Sequence, residues 1–304
     1  MPSVVNKSLT NRDIFDFVLL SAIWGASFLF LRVAAPEFGP VFLIELRGLS
    51  ALIVLLPVCV YLGKIEEIRQ NWKLIFTLSL CNTTLPFCLL AYAVLSINAG
   101  LASILNATVP FFTALVAYIM WSQKLSISAV IGMLVGFAGV SALVLDSGGS
   151  SQPTENLLAI GAAVLASLLY GTAANITYYK LSAVSGIAAT VGALGFASLV
   201  LLPFAIVQKP EQMPTGAVWL SVIALGVVCT GVAYLLFYRL ISRIGSHRAV
   251  STTFLIPPFS ILWGSMFLGE ELTISMALAC LLVLVGVYIT TGRYSALFSV
   301  KKQH

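Results

Sequence analysis

Ten apolar runs, each close to the length that crosses a lipid bilayer, constrain this chain more than any single motif. They fall at roughly 14–34, 41–62, 74–96, 99–121, 127–145, 157–178, 186–207, 217–239, 247–268 and 273–292. A helix spanning the ~30 Å hydrocarbon core needs ~20 mainly apolar residues, and inside that core each helix satisfies its own backbone. Composition agrees with this reading: 60% of the 304 residues are hydrophobic, 9% are charged, and the mean hydropathy is +1.03. A soluble domain is ~45–50% apolar and ~25% charged, so most of this surface must face something as oily as its interior. The expected fold is all-α and integral to a membrane, with ten transmembrane helices. The first run is read as a retained helix rather than a cleaved signal.

Ten spans put both termini on one face, and lysine and arginine say which. With the N-terminus inside, thirteen basic residues lie on inner segments and two, Arg32 and Lys209, on outer ones, with Arg47 inside the second run. That is a positive-inside bias, so both termini are expected to be cytoplasmic and the location a multi-pass cell (inner) membrane. The net charge of +5 is spread over short loops rather than gathered in a patch, which argues against nucleic acid. Cys59, Cys81, Cys88, Cys229 and Cys280 all sit in apolar runs, where they read as free, buried thiols. Neither metal-ligand spacing nor a phosphate-binding glycine loop occurs, so no metal, no cofactor and no ATPase or other enzyme is expected.

Shifted by 146 residues, the chain partly matches itself. Trp24-Gly25 falls on Tyr170-Gly171, Pro57 on Pro203, and Ala91-Tyr92 on Phe237-Tyr238. At a shift of 147, Pro110 meets Pro257, Gln123-Lys124-Leu125 meets Glu270-Glu271-Leu272, and Gly139-Val140 meets Gly286-Val287. Registered glycine, proline and aromatic positions match by chance far less readily than Leu or Val. Each half holds five helices, an odd number, so the second copy enters the membrane from the opposite side. Two inverted five-helix repeats are a device of secondary transporters.

The residues that carry the repeat also carry a resemblance. The segments WGASFLFLRV from Trp24, RGLSAL from Arg47, AGLASILNATVPFF from Ala99, and GSHRAVSTTFLIPPF from Gly245 with LGEEL from Leu268 resemble EamA-type domains of the drug/metabolite transporter superfamily. The resemblance places a first repeat at 17–145, a linker at 146–156, a second repeat at 157–292 and a cytoplasmic tail at 293–304. It implies a central cavity lined by helices 1, 3, 4, 6, 8 and 9, and export of small metabolites or drugs.

Glu45 and Arg47 are ionisable groups within a spanning run, where charge is costly and functional by default. Two residues apart, they stand about 200° around the helix, so both are not expected to face the bundle interior, and snorkelling to headgroups is open to them. Arg47 matches an arginine common at this place in EamA domains; it either orients an anionic group or ties helix ends together. Glu45 is the candidate carboxylate for a coupling proton. Asn82 and Thr83 before Pro86, Asn106 before Pro110, and Thr252 before Pro257 mark interrupted helices. Such breaks are either midplane binding sites or packing kinks. Trp24, Tyr92, Tyr170, Tyr234, Tyr238 and Trp263, with Asn175, complete the candidate substrate-binding set. An aromatic cavity with few fixed charges suits amphipathic or aromatic metabolites, or cations through ring faces; the expected cargo is amino-acid-like, aromatic or amphipathic compounds and drugs.

Small residues in helices 5 and 10, such as Gly132, Gly136, Gly139 and Gly286, read as close-packing faces or a dimer seam, so monomer and homodimer both stand. The expected partners are a small solute, the bilayer and a proton. A secondary exporter working by alternating access leads; an uncoupled facilitator or a lipid-handling scaffold is the alternative.

Overall fold

Short polar junctions start and stop each apolar run in this computed structural model, which describes residues 10–147, 153–214 and 216–291. The central part of the expected linker and the tail at 293–304 lie outside the described residues. Helix α1 (Asn11–Phe38) opens with a capping box: Thr10 Oγ1 accepts from the Asp13 amide, and Asp13 accepts from the Thr10 amide. Gly39, at φ +72°, turns the chain directly into α2 (Pro40–Tyr61), a reversal that side-chain-bearing residues rarely allow. Then come α3 (Trp72–Ser96), α4 (Ala99–Trp121), α5 (Ile127–Ser147), α6 (Pro153–Lys180), α7 (Gly186–Val207), α8 (Val218–Ile244), α9 (Val250–Leu268) and α10 (Ile274–Thr290).

Among the described residues no strand occurs. Eight of these helices are long and apolar enough to span a membrane, and two shorter apolar helices, Ile127–Leu143 and Ile274–Thr290, accompany them. A short helix, Ile65–Gln70, occupies the polar stretch between α2 and α3, where the sequence signals only a loop.

The packing partners fall into matched sets. Helix α2 lies against α7, and α5 against α10; α1 packs on α8 and α9, while α6 packs on α3 and α4. Local details repeat at the same spacing. Ser126 Oγ caps α5 through the Ala129 amide at 3.1 Å, and Thr273 Oγ1 caps α10 through the Met276 amide at 3.2 Å. Left-handed residues end α4 and α9, Ser122 at φ +54° and Gly269 at φ +65°.

The small-residue stripe of α5 and α10 is spent within the chain. A Cβ on Gly286 would stand 2.5 Å from the Gly132 carbonyl oxygen and 2.7 Å from the Gly136 amide. The stripe thus seats α5 on α10 rather than remaining free as a dimer seam, because only bare glycine backbones let two helix axes approach so closely.

Candidate functional site

Two glycines fix where the long helices cross, and each carries an aromatic residue beside it. A Cβ on Gly25 would lie 2.6 Å from Phe259 Cβ and 3.0 Å from the Ser260 amide, so α1 meets α9 at backbone contact. The same holds of Gly171, 2.7 Å from the Thr113 amide and 2.8 Å from the Phe112 carbonyl carbon, where α6 meets α4. Four residues earlier on each helix a serine pins the crossing: Ser21 Oγ donates to the Thr252 carbonyl at 3.0 Å and Ser167 Oγ to the Leu105 carbonyl at 3.0 Å. These serines occupy equivalent places in the repeat; only the 146-residue register could have singled them out.

The accepting carbonyls lie where α4 and α9 are irregular. Helix α4 breaks between Asn106 and Val109, ahead of Pro110, and α9 starts with a 3₁₀ segment, Val250–Leu255, ahead of Pro257. Helices α3 and α8 are interrupted in another way, by π turns at Leu80–Thr84 and Ala224–Val232. A π turn widens the helix and frees its hydrogen-bonding groups, and it often marks a functional position. In α8 the Thr230 hydroxyl donates to the Leu225 carbonyl at 2.9 Å, five residues back. Proline foretells the α3 break, but no proline marks the one in α8.

Arg47 lies against that widened turn of α8. It is 7% exposed, its Nε donates to Thr230 Oγ1 at 3.0 Å, and its guanidinium carbon sits 3.7 Å over the ring of Phe87. Tyr170, Cys229 and Tyr234 lie within electrostatic reach of its charge. Trp24 meets Tyr234 edge-on at 6.3 Å and Phe237 at 5.2 Å, Phe87 meets Tyr170 at 6.4 Å, and Asn82 approaches the Tyr234 hydroxyl. Among the described residues, no carboxylate pairs with Arg47 and its two Nη amines make no hydrogen bond. The result is a buried cation with its fork free, over the buried ring of Phe87 and among the half-buried rings of Trp24, Tyr170 and Tyr234.

The structure therefore brings together Arg47, Trp24, Asn82, Tyr170 and Tyr234, and adds Phe87 and Thr230, which the sequence does not single out. Thr83 is buried within the π turn, and Asn106 stands at the α4 break with its side-chain oxygen buried and unbonded. Other candidates serve elsewhere. Tyr92 is 40% exposed and makes no ring contact with this cluster. Asn175 Nδ2 donates to the Thr113 and Gly171 carbonyls at 2.9 Å each, which ties α6 to α4. Tyr238 donates to the Gly186 carbonyl at 2.8 Å and bonds Thr190, at the start of α7. Thr252 spends its hydroxyl on the Ala249 carbonyl at 2.8 Å. Trp263 donates to the Ala22 carbonyl at 3.0 Å and borders an open apolar groove of about 380 Å³ between α1, α8 and α9.

Glu45 and Arg47 are both buried, contrary to the expectation from their angular separation. The reason is that α2 is covered on more than one side: α3 and α8 enclose Arg47, while α7 covers Glu45, which is 3% exposed. Snorkelling is thereby closed to both.

Ion pairs gather at the ends of the bundle. Asp16 takes Arg239 at 2.6 Å and Arg243 at 3.5 Å, and Asp13 takes Arg243 at 3.1 Å, joining the start of α1 to the end of α8. Nearby, Glu67 binds Lys64 at 2.6 Å and accepts the Ser185 amide at 2.7 Å, at the N-terminus of α7. Those bonds hold the Glu67 carboxyl down at about 2. At the other end Glu270 accepts the Ala99 amide at 2.8 Å, and Arg32 donates to the Val94 and Leu95 carbonyls. No group of three His, Cys, Asp or Glu side chains stands together among the described residues.

Known proteins are similar to this chain. The "Uncharacterized transporter YvbV" of Bacillus subtilis (strain 168) is 28% identical over 299 residues, covering 94% of this chain and 93% of that protein. The "Probable amino-acid metabolite efflux pump" of Salmonella typhimurium is 23% identical over 294 residues, covering 92% and 95%. A solved crystal structure at 18% identity superposes with a TM-score of 0.67 over 95% of this chain and 99% of its own, a likeness of fold. The EamA-like transporter family matches twice, at residues 14–145 and 157–292. Two copies of that pattern over most of an all-helical, multi-pass membrane chain leave one conclusion: this protein belongs to the EamA-like transporter family, whose members are not enzymes.

Proposed function

We propose that this chain is a secondary exporter of small organic solutes bearing a carboxylate and an apolar or aromatic body, amino-acid-like compounds in particular. It works by alternating access of two inverted five-helix halves within ten transmembrane helices. The observation that carries the reading is Arg47: a buried guanidinium with no anionic partner, stacked on Phe87 beside Tyr170, Tyr234 and Trp24. An uncompensated cation is costly inside a membrane. A solute carboxylate offers the missing charge in the bidentate geometry that guanidinium favours, and the rings accept the solute's apolar body. The name of the Salmonella relative, an amino-acid metabolite efflux pump, favours the same class.

Alternating access draws support from repeated mechanics. The Gly25 and Gly171 crossings, the Ser21 and Ser167 pins and the two π turns are equivalent under exchange of the halves. Swapping the conformations of such halves turns one open face into the other. In this reading both termini are cytoplasmic, the membrane is the cell (inner) membrane, one chain holds a complete site, and a proton is the coupling ion.

The test is counterflow in proteoliposomes with L-phenylalanine as probe. Internal unlabelled solute should drive transient uptake of labelled solute, and Trp24→Ala or Tyr170→Ala should suppress it. Uptake without counterflow would make the protein a channel, and unchanged kinetics in both variants would remove the aromatic cluster from the site.

A further inference from the structure

The second charge of α2 has a different fate from the first. Residues 45 and 47 point about 200° apart, so Glu45 cannot reach the guanidinium that would neutralise it. Its carboxylate enters the seam between α2 and α7. Both carboxylate oxygens are buried without a hydrogen-bond partner, and so is the hydroxyl of Ser198, which stands beside it on α7.

The charged and titratable neighbours are few. From α3 the thiol of Cys88 faces it. Helix α7, with the sequence GIAATVGALGFASLVLLPFAIV, contains no titratable residue. On α8, Thr230 and Cys229 attend Arg47, and on α1, Arg32 is engaged with the Val94 and Leu95 carbonyls while Glu37 is exposed. Among the described residues no cation lies within ion-pair distance of this carboxylate, and the donor beside it is the neutral hydroxyl of Ser198, which cannot offset a full charge.

We propose that Glu45 is a proton-binding site, distinct from the Arg47 solute site, which holds its proton while α2 and α7 are packed and releases it when that seam opens to water. The argument is one of desolvation. An ionised carboxylate buried without partners is strongly disfavoured, whereas a carboxylic acid leaves only modest polarity unsatisfied. The proton is therefore the ligand that fits the site as built. Opening the seam hydrates the group and lets it ionise, so O–H cleavage at Glu45 accompanies one conformational step and the proton passes to water. The coupling part rests on the exporter reading; the proton site itself does not.

Infrared difference spectra of the full chain, reconstituted in phosphatidylethanolamine–phosphatidylglycerol vesicles and titrated with pH, test the site directly. The wild type should give the C=O stretch of a protonated carboxyl at neutral pH. Glu45→Asp should shift the band and Glu45→Gln should remove it. Absence of the band in the wild type, or its persistence unshifted in both variants, would overturn the proposal. A comparison of wild type with Glu45→Asp assigns the band even if the Gln variant does not fold.

Coupling is read in the same vesicles with an imposed pH gradient and L-phenylalanine. The wild type should accumulate the probe several-fold, and Glu45→Gln should fall to the level seen with the gradient collapsed while keeping counterflow. Gradient-driven accumulation intact in Glu45→Gln refutes coupling through this residue. Absent counterflow in the wild type sinks the exporter reading and leaves the infrared result to decide the proton site.

Discussion

On the proposed reading Arg47 anchors a solute carboxylate, so removing its charge should erase a preference for carboxylates, and the structure gives the size of the effect. In Arg47→Gln an amide replaces the guanidinium while the neighbouring hydroxyl of Thr230, 3.0 Å from the arginine Nε, keeps its own bond to the Leu225 carbonyl. The local helix break should therefore survive. What is lost is the charged fork. A hydrogen bond to a charged group contributes about 1.5–3 kcal/mol, and each ~1.4 kcal/mol is tenfold in affinity, so the carboxylate should be worth roughly ten- to a hundredfold. Counterflow half-saturation is measured for L-phenylalanine and for L-phenylalaninamide, which lacks the carboxylate. The wild type should favour the acid by that factor and Arg47→Gln should treat the two alike. Arg47→Lys should fall between, since lysine keeps the charge but loses both the planar stack on Phe87 and the fork. An undiminished preference for the acid in Arg47→Gln would show that the carboxylate is read elsewhere, and the assignment of this cluster as the solute site would fail.

Three further outcomes follow from the packing and the ends of the bundle. Gly286→Ala places a Cβ 2.5 Å from the Gly132 carbonyl oxygen; forcing α10 off α5 should cost about 1–3 kcal/mol and lower the thermal midpoint in detergent, and an unchanged midpoint would contradict the close crossing. Asp16→Asn removes the carboxylate shared by Arg239 and Arg243; alkylation of buried Cys229 by a soluble maleimide from the side of the N-terminus should rise several-fold, and no rise would mean that these pairs do not close that end. Glu67 titrates low in the folded chain, about 2, below its ordinary value of ~4.3. It therefore adds stability that is complete above the unfolded value and is lost as pH falls through the folded one. Glu67→Gln should lower the midpoint at pH 7 and flatten its fall between about pH 4.5 and 2; an unaltered acid limb would exclude this carboxylate as its source.

The legible part of this fold is the part written in solvent preference and in backbone breakers. Apolar run length marks the spanning helices, and Pro86, Pro110 and Pro257 mark three of the four irregular turns. Trp24-Gly25 and Tyr170-Gly171 stand in register because each glycine admits a crossing helix and each aromatic residue flanks it. What sequence hides is burial on a helix that is covered on several sides. Angular separation alone sends one of Glu45 and Arg47 outward, yet α3, α7 and α8 together enclose both. It also hides hydroxyl groups spent on the backbone. Thr252, Asn175 and Tyr238 look free to meet a solute, but each bonds a backbone carbonyl of its own or a neighbouring helix. The π turn of α8 gives no proline signal; the Thr230 hydroxyl bonds the Leu225 carbonyl across it, and the glycines at 226 and 231 let α2 approach closely.

The two halves share their mechanics but not their charges, and that difference bears on how the solute is held. At the 146-residue shift Glu45 corresponds to Val191, Arg47 to Ala193, and Thr230 to Thr84. Where Arg47 of α2 reaches Thr230 in the π turn of α8, the equivalent crossing of α7 and α3 uses Ser79, whose hydroxyl meets Thr84 at 3.2 Å and donates to the Ala193 carbonyl at 2.6 Å. One crossing is thus closed by neutral hydroxyls, and the other by a guanidinium with bonding capacity to spare. A second arginine at 193 would bring two like charges into one apolar centre, at a cost that a single carboxylate could not offset. A lone cation would be neutralised completely by one monoanionic solute of the class proposed. On the proposed exporter reading, the matched crossings would exchange conformations around a solute anchored throughout by Arg47 of the first half, with its apolar body resting on Tyr170 and Tyr234 of the second.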